Sequence, residues 1–269
     1  MNIKEQVLKG SIPDDLKIID AHAHIGEGEY SNAFVYALPI KEALHLSKKI
    51  GISKMAASSL KAIGGDLRAG NDRLLELCNL YPEDLLAYIY FNPKFADESL
   101  EYIEKNRNNP HFIGVKMHPR EDNVNACDAR YYKLYEYAAK NDILILSHTW
   151  ETEPMNNPIL FNAVLEKYPF MKLLIGHMGG TYSGCMSSIA LANKYPNVYL
   201  DLNGSIYSEI WIEELIRLAS ADKFIFSTDQ TFNDPRITLG RVLLCDLDDE
   251  IKRNILCFNF ENLIGRKLL

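Results

Sequence analysis

Four histidines and one aspartate stand at the ends of short apolar runs, and their side chains are of the kinds that hold a divalent metal. They are His22 and His24 in KIIDAHAHIG, His148 in ILILSHTW, His177 in KLLIGHMGG and Asp229 in KFIFSTDQ. Imidazole nitrogen and carboxylate oxygen are the donors that a catalytic zinc or a similar ion takes, with one position kept open for water or substrate. Water held on such an ion loses its proton far more readily than bulk water, which supplies a nucleophile near neutral pH. His22 and His24 are two residues apart. Side chains alternate along a strand, so imidazoles at i and i+2 point the same way and can grip one ion. Asp20 is expected one step further down that face, as a supporting partner or part of a buried network.

Elements of a particular kind must position these residues. Runs of Ile, Leu, Val and Phe bounded by Gly, Pro or polar residues read as buried strands. Eight such runs occur in order, at 18–24, 54–60, 85–93, 112–118, 143–148, 173–177, 198–203 and 224–229. Their ends fall 25 to 36 residues apart, and a strand–helix unit takes roughly 30 residues. The segments between them carry helical spacing. Tyr131, Leu134, Tyr135 and Ala138 make one apolar stripe, and Ile212, Leu215, Ile216 and Ala219 another. A third runs through Leu160, Phe161, Val164, Leu165 and Tyr168, and DDEIKRNILCFNFENLIGRKLL reads as a closing helix with Gly265 near its end.

The pattern predicts a (β/α)8 TIM barrel, with residues 1–269 as one domain. An open doubly wound sheet is the rival. Closure makes the first and last strands neighbours, which brings His22 and His24 beside Asp229 across more than 200 residues of sequence. In a parallel barrel the functional groups gather at the carboxyl ends of the strands, where these five residues fall.

Composition narrows the function. A formal charge of −7 with scattered Lys and Arg argues against nucleic-acid or anionic-membrane binding, which need a basic patch. The longest apolar run, about LLAYIYF, is too short to span a bilayer, and MNIKEQVLKGSIPDD does not read as a signal peptide. Five cysteines form no CxxC pair, so a disulfide framework is not expected and a reducing, cytoplasmic setting is. The expected partner is a small-molecule substrate. Self-association into a homo-oligomer is left open.

The pieces DAHAHIG, GVKMHP, LSHTW, IGHMGG, STDQ and NFENLIG span residues 20–265 in order. In that combination the sequence resembles the amidohydrolase superfamily, in the branch of aminocarboxymuconate-semialdehyde and resorcylate decarboxylases and related hydrolases. The resemblance implies a (β/α)8 barrel with one divalent ion, zinc first among candidates. It implies His22, His24, His148 and Asp229 as ligands and His177 beside the metal as a catalytic or substrate-polarising residue. Asp229 would also accept the proton of the metal-bound water.

Lys116 and His118 share a face on the fourth run. In other branches of the superfamily a lysine on this strand is carbamylated and bridges two metals. A buried lysine must be neutralised or paired. In a one-metal branch, Lys116 is expected to meet a substrate carboxylate or to pair with a buried group such as Asp20. His118 and Arg120 join Lys116 as candidate substrate-binding residues. Trp150, Tyr207 and Phe232 follow the fifth, seventh and eighth runs and are expected to pack under loops or cover a substrate. Arg68 is read as a solvated loop residue, and His45 and His111 receive no role.

Three functions compete. The first is hydrolysis of a C–N or C–O bond by metal-activated water, which the short chain favours. The second is non-oxidative decarboxylation of an unsaturated or aromatic acid, with the ion holding substrate oxygens. The third is a ligand-binding barrel without turnover, disfavoured because His177 and Asp229 are both where proton transfer needs them.

Overall fold

The computed structural model describes residues 1–26, 38–204 and 209–269. Eight parallel strands follow one another around one sheet: β1 Ile19–Ile25, β2 Lys54–Ser59, β3 Leu85–Tyr90, β4 Phe112–Met117, β5 Ile145–His148, β6 Leu173–Gly176, β7 Val198–Asp201 and β8 Phe224–Ile225. Each pairs in parallel with the next. Past β8 the chain runs alongside β1. Ala21 N–H donates to the carbonyl of Phe226 at 3.2 Å, Asp229 N–H to that of His22 at 2.8 Å, and His24 N–H to that of Gln230. These bonds close the barrel and set Asp229 against the two histidines of β1.

The expected eighth strand, 224–229, is shorter as formed, for a local reason. The closing segment is helical over Asp249–Arg253 and Asn259–Ile264, with a π-turn over Asn254–Phe258 between them. A π-turn releases a carbonyl from the helical ladder. Phe226 N–H donates to that of Ile255 at 2.9 Å, so its N–H is lost to the β7 side of the ladder while its carbonyl still accepts from Ala21 of β1. Gly265 ends the last helix at φ 67°, a left-handed cap that glycine adopts without strain.

The barrel interior is apolar at its base, where Ile19, Leu86, Tyr88, Leu144, Leu146, Leu174 and Ile225 pack together. A second apolar layer lies between the outward strand faces and the helices. Tyr131, Leu134, Tyr135 and Ala138 of helix 129–141 are buried there, as are Phe161, Val164 and Leu165 of helix 161–167. The stripe of Ile212, Leu215, Ile216 and Ala219 is buried in the same layer. Burying such stripes is the main favourable term holding the barrel together. Among the described residues no helix is long and apolar enough to cross a membrane, and Cys78, Cys127, Cys185, Cys245 and Cys257 are free.

β1 carries a register shift. Asp20 pairs with Met55 but Ala23 pairs with Ala57, so β1 has one residue more than β2 over this stretch. A one-residue slip moves a side chain to the opposite face. Asp20 is therefore not below His22 and His24 on their face. It is buried between β1 and the end of the barrel, accepting from the Thr228 N–H at 2.9 Å, the Thr228 hydroxyl and the His22 N–H at 3.2 Å.

A second buried carboxylate secures the turn after β4. Asp122 accepts from the hydroxyls of Tyr90, at 2.8 Å, and Tyr131. Burial pushes its carboxyl up to about 7, against those two hydrogen bonds. The folded pKa lies above the unfolded value near 3.8, so the proton is bound more tightly in the fold. Its stabilising contribution is complete below pH 4 and is lost as pH rises to about 7, by up to about 4 kcal/mol. Asp122→Asn should therefore gain melting temperature relative to the parent as pH rises from 4.5 to 7.5. Thermal melts showing a pH-independent difference would mean that this carboxyl is ionised in the fold.

The turn after β6 depends on Gly180. It sits at φ 69°, and a Cβ there would lie 2.4 Å from ring atoms of Trp150. Gly180→Ala should lose about 2–4 kcal/mol, from left-handed strain plus overpacking against an aromatic ring, in chemical denaturation. A loss below about 0.5 kcal/mol would show that the ring yields freely.

Candidate metal and substrate site

Above the apolar base the barrel turns polar. His22 and His24 on β1, Lys116 on β4, His148 on β5, Asp201 on β7, His177 after β6 and Asp229 after β8 come together at the carboxyl ends of the strands. His22, Lys116 and Asp201 are fully buried, and His24, His177 and Asp229 are at most 8% exposed. His177 and Asp229 both adopt left-handed backbone, at φ 61° and 57°. That conformation is uncommon for residues other than glycine, and here it turns the chain at the two points where a functional side chain leaves its strand.

Ligand-type atoms of His22, His177 and Asp229 all lie within 4.8 Å of one another, close enough to share one ion. The other two expected ligands stand one contact away. His24 Nε2 is 3.2 Å from Asp229 Oδ1, and its Nδ1 is 3.0 Å from the Ser58 hydroxyl. His148 Nδ1 is 3.0 Å from His177 Nε2. Its ring stacks on that of His118, with centroids 4.0 Å apart. His148 Nε2 and His118 Nδ1 have no hydrogen-bond partner among the described residues, which fits atoms awaiting an ion or a substrate oxygen.

Electrostatics keeps the imidazoles neutral, the form that binds metal. Burial pushes His22, His118 and His148 well below their ordinary range, and nearby cationic groups push the same way. His177 is lowered to about 4, chiefly by burial, although the Asp229 charge opposes the shift. Burial acts to raise Asp229, yet His177, His24 and Lys116 together hold it below the ordinary carboxylate value. It is thus an anion among neutral rings.

Lys116 does not meet Asp20. Its Nζ is 2.6 Å from His22 Nε2. Burial lowers it to about 8, opposed by the charges of Asp229 and Asp201. Asp20 is held by Thr228 instead, because the β1 register shift turns it away. Asp201 and Asn203 are the site-forming residues that the sequence reading did not single out. Asp201 Oδ2 is 2.7 Å from His22 Nδ1 and accepts from Asn203 Nδ2 at 2.9 Å. Burial raises its carboxyl to about 7. Their signal was present in VYLDLN, where Asp201 and Asn203 share one face of a strand end.

A cavity of about 320 Å³ opens over this cluster. His24, His118, His148, His177 and Asp229 line its floor, with Trp150, Phe232, Leu60 and Ile63 as apolar wall. Arg120 is at the rim, where its guanidinium donates to Glu153 at 2.6 Å. Lys116 lies beneath, outside the cavity lining. Arg68 is exposed and pairs with Glu98 at 2.8 Å, away from the cavity. His45 and His111 are also away from it, and Tyr207 lies outside the described residues.

An eight-stranded parallel barrel with a His/His/Asp group at its carboxyl-end mouth defines a class of barrel suited to metal chemistry. A family model described as amidohydrolase matches residues 19–265, and the chain belongs to that family. A stretch of 140 residues is 28% identical to a gamma-resorcylate decarboxylase from Polaromonas sp. (strain JS666). That match covers 44% of this chain and 40% of the relative's length. A 2,6-dihydroxybenzoate decarboxylase from Rhizobium superposes with a TM-score of 0.73 at 16% identity, covering 93% of this chain and 99% of that one. A 5-carboxyvanillate decarboxylase from Novosphingobium aromaticivorans, complexed with manganese and 4-hydroxy-3-methoxy-5-nitrobenzoic acid, superposes at 0.75 with 13% identity. It covers 95% of this chain and 100% of that one.

Among the described residues, Asp229 is the carboxylate that both belongs to the ligand group and lines the cavity. Asp229→Asn keeps the shape and removes the charge and the proton acceptor. It should retain the far-ultraviolet circular dichroism of the parent and lose at least about a hundredfold in turnover. Asp222→Asn, on an exposed turn, should change turnover less than twofold. Parent-like turnover by Asp229→Asn would remove this residue from the chemistry.

Proposed function

We propose that this protein is a metal-dependent decarboxylase of a small aromatic acid, working without an oxidant. The observation that carries the reading is the convergence of His22, His177 and Asp229 within 4.8 Å, with His177 and Asp229 on the floor of a cavity that Trp150 and Phe232 also line. The 28% match to a gamma-resorcylate decarboxylase supports decarboxylation over the hydrolysis that the short chain favoured.

The residues fit a divalent ion. Two nitrogens and one carboxylate oxygen converge within 4.8 Å, and His148 Nε2 beside them is buried with no hydrogen-bond partner among the described residues, its nearest carboxylate oxygen being that of Glu153 at 3.9 Å. We assign the ion to His22, His177 and Asp229, with His24 and His148 completing the set through small side-chain movements. This donor set suits zinc, and it also suits the manganese held by the 5-carboxyvanillate decarboxylase. When bound, the ion supplies positive charge that holds substrate oxygens and stabilises negative charge built up during reaction.

The chain's own groups account for the rest. Trp150 and Phe232 line the cavity as aromatic surface for a ring, and His118 Nδ1 is placed to hydrogen-bond a ring hydroxyl. Arg120 at the rim attracts the incoming anion. Asp229, an anion at rest, takes up the proton of the substrate's acidic hydroxyl. It returns that proton to the ring carbon bearing the carboxylate. The carbon–carbon bond then breaks, its electron pair restores the aromatic ring, and carbon dioxide leaves. Excluding water from the dry floor strengthens each of these electrostatic contacts. The free cysteines accord with a reducing, cytoplasmic setting.

Purified protein loaded with zinc or manganese should release carbon dioxide from a panel of hydroxybenzoates, with one ion per chain by elemental analysis. Chelation should abolish turnover and re-addition of the ion should restore it. Release of an amine or alcohol from esters and amides, with no carbon dioxide from any acid, would replace this reading with hydrolysis.

A further inference from the structure

Beneath the cavity lies a buried polar group that the proposed chemistry does not use: Asp201, with Asn203 and Ser227. His22 is the best buried of the candidate ligands, and its two ring nitrogens have different neighbours. Nε2 is 2.6 Å from Lys116 Nζ, and an ammonium has donors only, so Nε2 is the acceptor. The ring proton then belongs on Nδ1, which is 2.7 Å from Asp201 Oδ2. A carboxylate only accepts, so these two contacts agree on the Nδ1–H tautomer. Asn203 Nδ2, a donor, is also 3.0 Å from Nδ1, but it donates to Asp201 Oδ2 at 2.9 Å, and the shorter Asp201 contact takes the ring proton.

Asp201 is itself clamped. Its Oδ1 accepts from the Ser227 hydroxyl and from Asn203 N–H at 3.0 Å, and its Oδ2 accepts from Asn203 Nδ2 at 2.9 Å. Both Asp201 and His22 are 0% exposed, so water cannot substitute for the missing partner if either is changed. Left alone in an apolar barrel, a neutral imidazole can carry its proton on either nitrogen, and one of the two tautomers cannot bind metal through Nε2.

We propose that Asp201 is a positioning residue for the metal centre, fixing His22 in the Nδ1–H tautomer so that Nε2, 2.6 Å from Lys116 Nζ and 3.9 Å from Asp229 Oδ1, carries the lone pair an ion would take in place of the lysine. The inference rests on the metal-dependent reading above and adds the group that sets the ligand's protonation. A carboxylate behind a metal-bound histidine fixes ring orientation and raises ligand basicity, and removing one costs about 10–100-fold in metal affinity.

The test uses full-length protein stripped by a chelator and titrated with Zn²⁺ against a competing dye, together with nitrogen-15 spectra of the histidine rings. The parent should show the Nδ1–H pattern for His22. Asp201→Ala and the milder Asp201→Asn should bind Zn²⁺ about 10–100-fold more weakly. Tyr88→Phe, which removes the hydroxyl's buried 3.1 Å hydrogen bond to the Ala21 carbonyl, should lower the melting temperature and leave Zn²⁺ affinity within about threefold. Equal loss of affinity in Tyr88→Phe and Asp201→Asn would reduce Asp201 to a structural role. Parent-like affinity in folded Asp201→Asn, or an Nε2–H pattern in the parent, would overturn the proposal. A parent that binds no divalent ion while showing the Nδ1–H pattern would instead sink the metal-dependent reading and leave the tautomer assignment standing.

Discussion

Everything at the mouth of this barrel depends on the burial of several ionisable groups within one small, dry layer. Desolvation drives His22, His118, His148 and His177 toward the neutral state. In water such histidines would be partly charged near neutral pH and would repel a cation. Packed here they are neutral donors around an anion, Asp229. The same burial would be ruinous without partners, because an unpaired buried charge costs several kcal/mol. Lys116, Asp201, Asn203, Ser227 and the Thr228–Asp20 pair supply those partners.

The backbone makes room for this layer in two ways. An extra residue in β1 sends Asp20 to Thr228 and leaves the upper face of β1 to imidazoles. Left-handed turns at His177 and Asp229 bring each of these side chains in from just beyond its strand. The closing π-turn takes up the Phe226 N–H, so beyond β8 the chain is held on the β1 side, by Ala21 to Phe226 and Asp229 to His22 backbone hydrogen bonds. Geometry at the site is thus set by irregularities, and these are held by a regular barrel beneath them.

Much of the architecture was legible because strand and helix periods are local. Each apolar run predicted for a strand coincides with an observed strand, offset by one or a few residues at its ends. The stripes through Tyr131, Phe161 and Ile212 face the core, since burial of a stripe is encoded by spacing alone. Asp20 belongs to a buried network as expected, and what differs from the sequence pattern is its face and its pairing. Asp20 was placed on the face of His22 by strict alternation, and a single extra residue reverses that parity. Asp20 is one of two expected partners for Lys116, the other a substrate carboxylate, because a buried lysine needs a partner; the barrel brings Lys116 to His22 from 94 positions away.

The sequence by itself determined the barrel, its order of strands and the donor types at their ends, because hydrophobic periodicity and side-chain chemistry are properties of short segments. Only the tertiary structure decided which donors share one point. His177 stands with His22 and Asp229 there, while His24 and His148 are each a contact away. It also decided that Asp201, an unremarked residue in VYLDLN, lies behind His22. Distances of a few ångströms between segments some 180 residues apart depend on register, bulges and turn conformation summed around a closed sheet. No local pattern carries that sum.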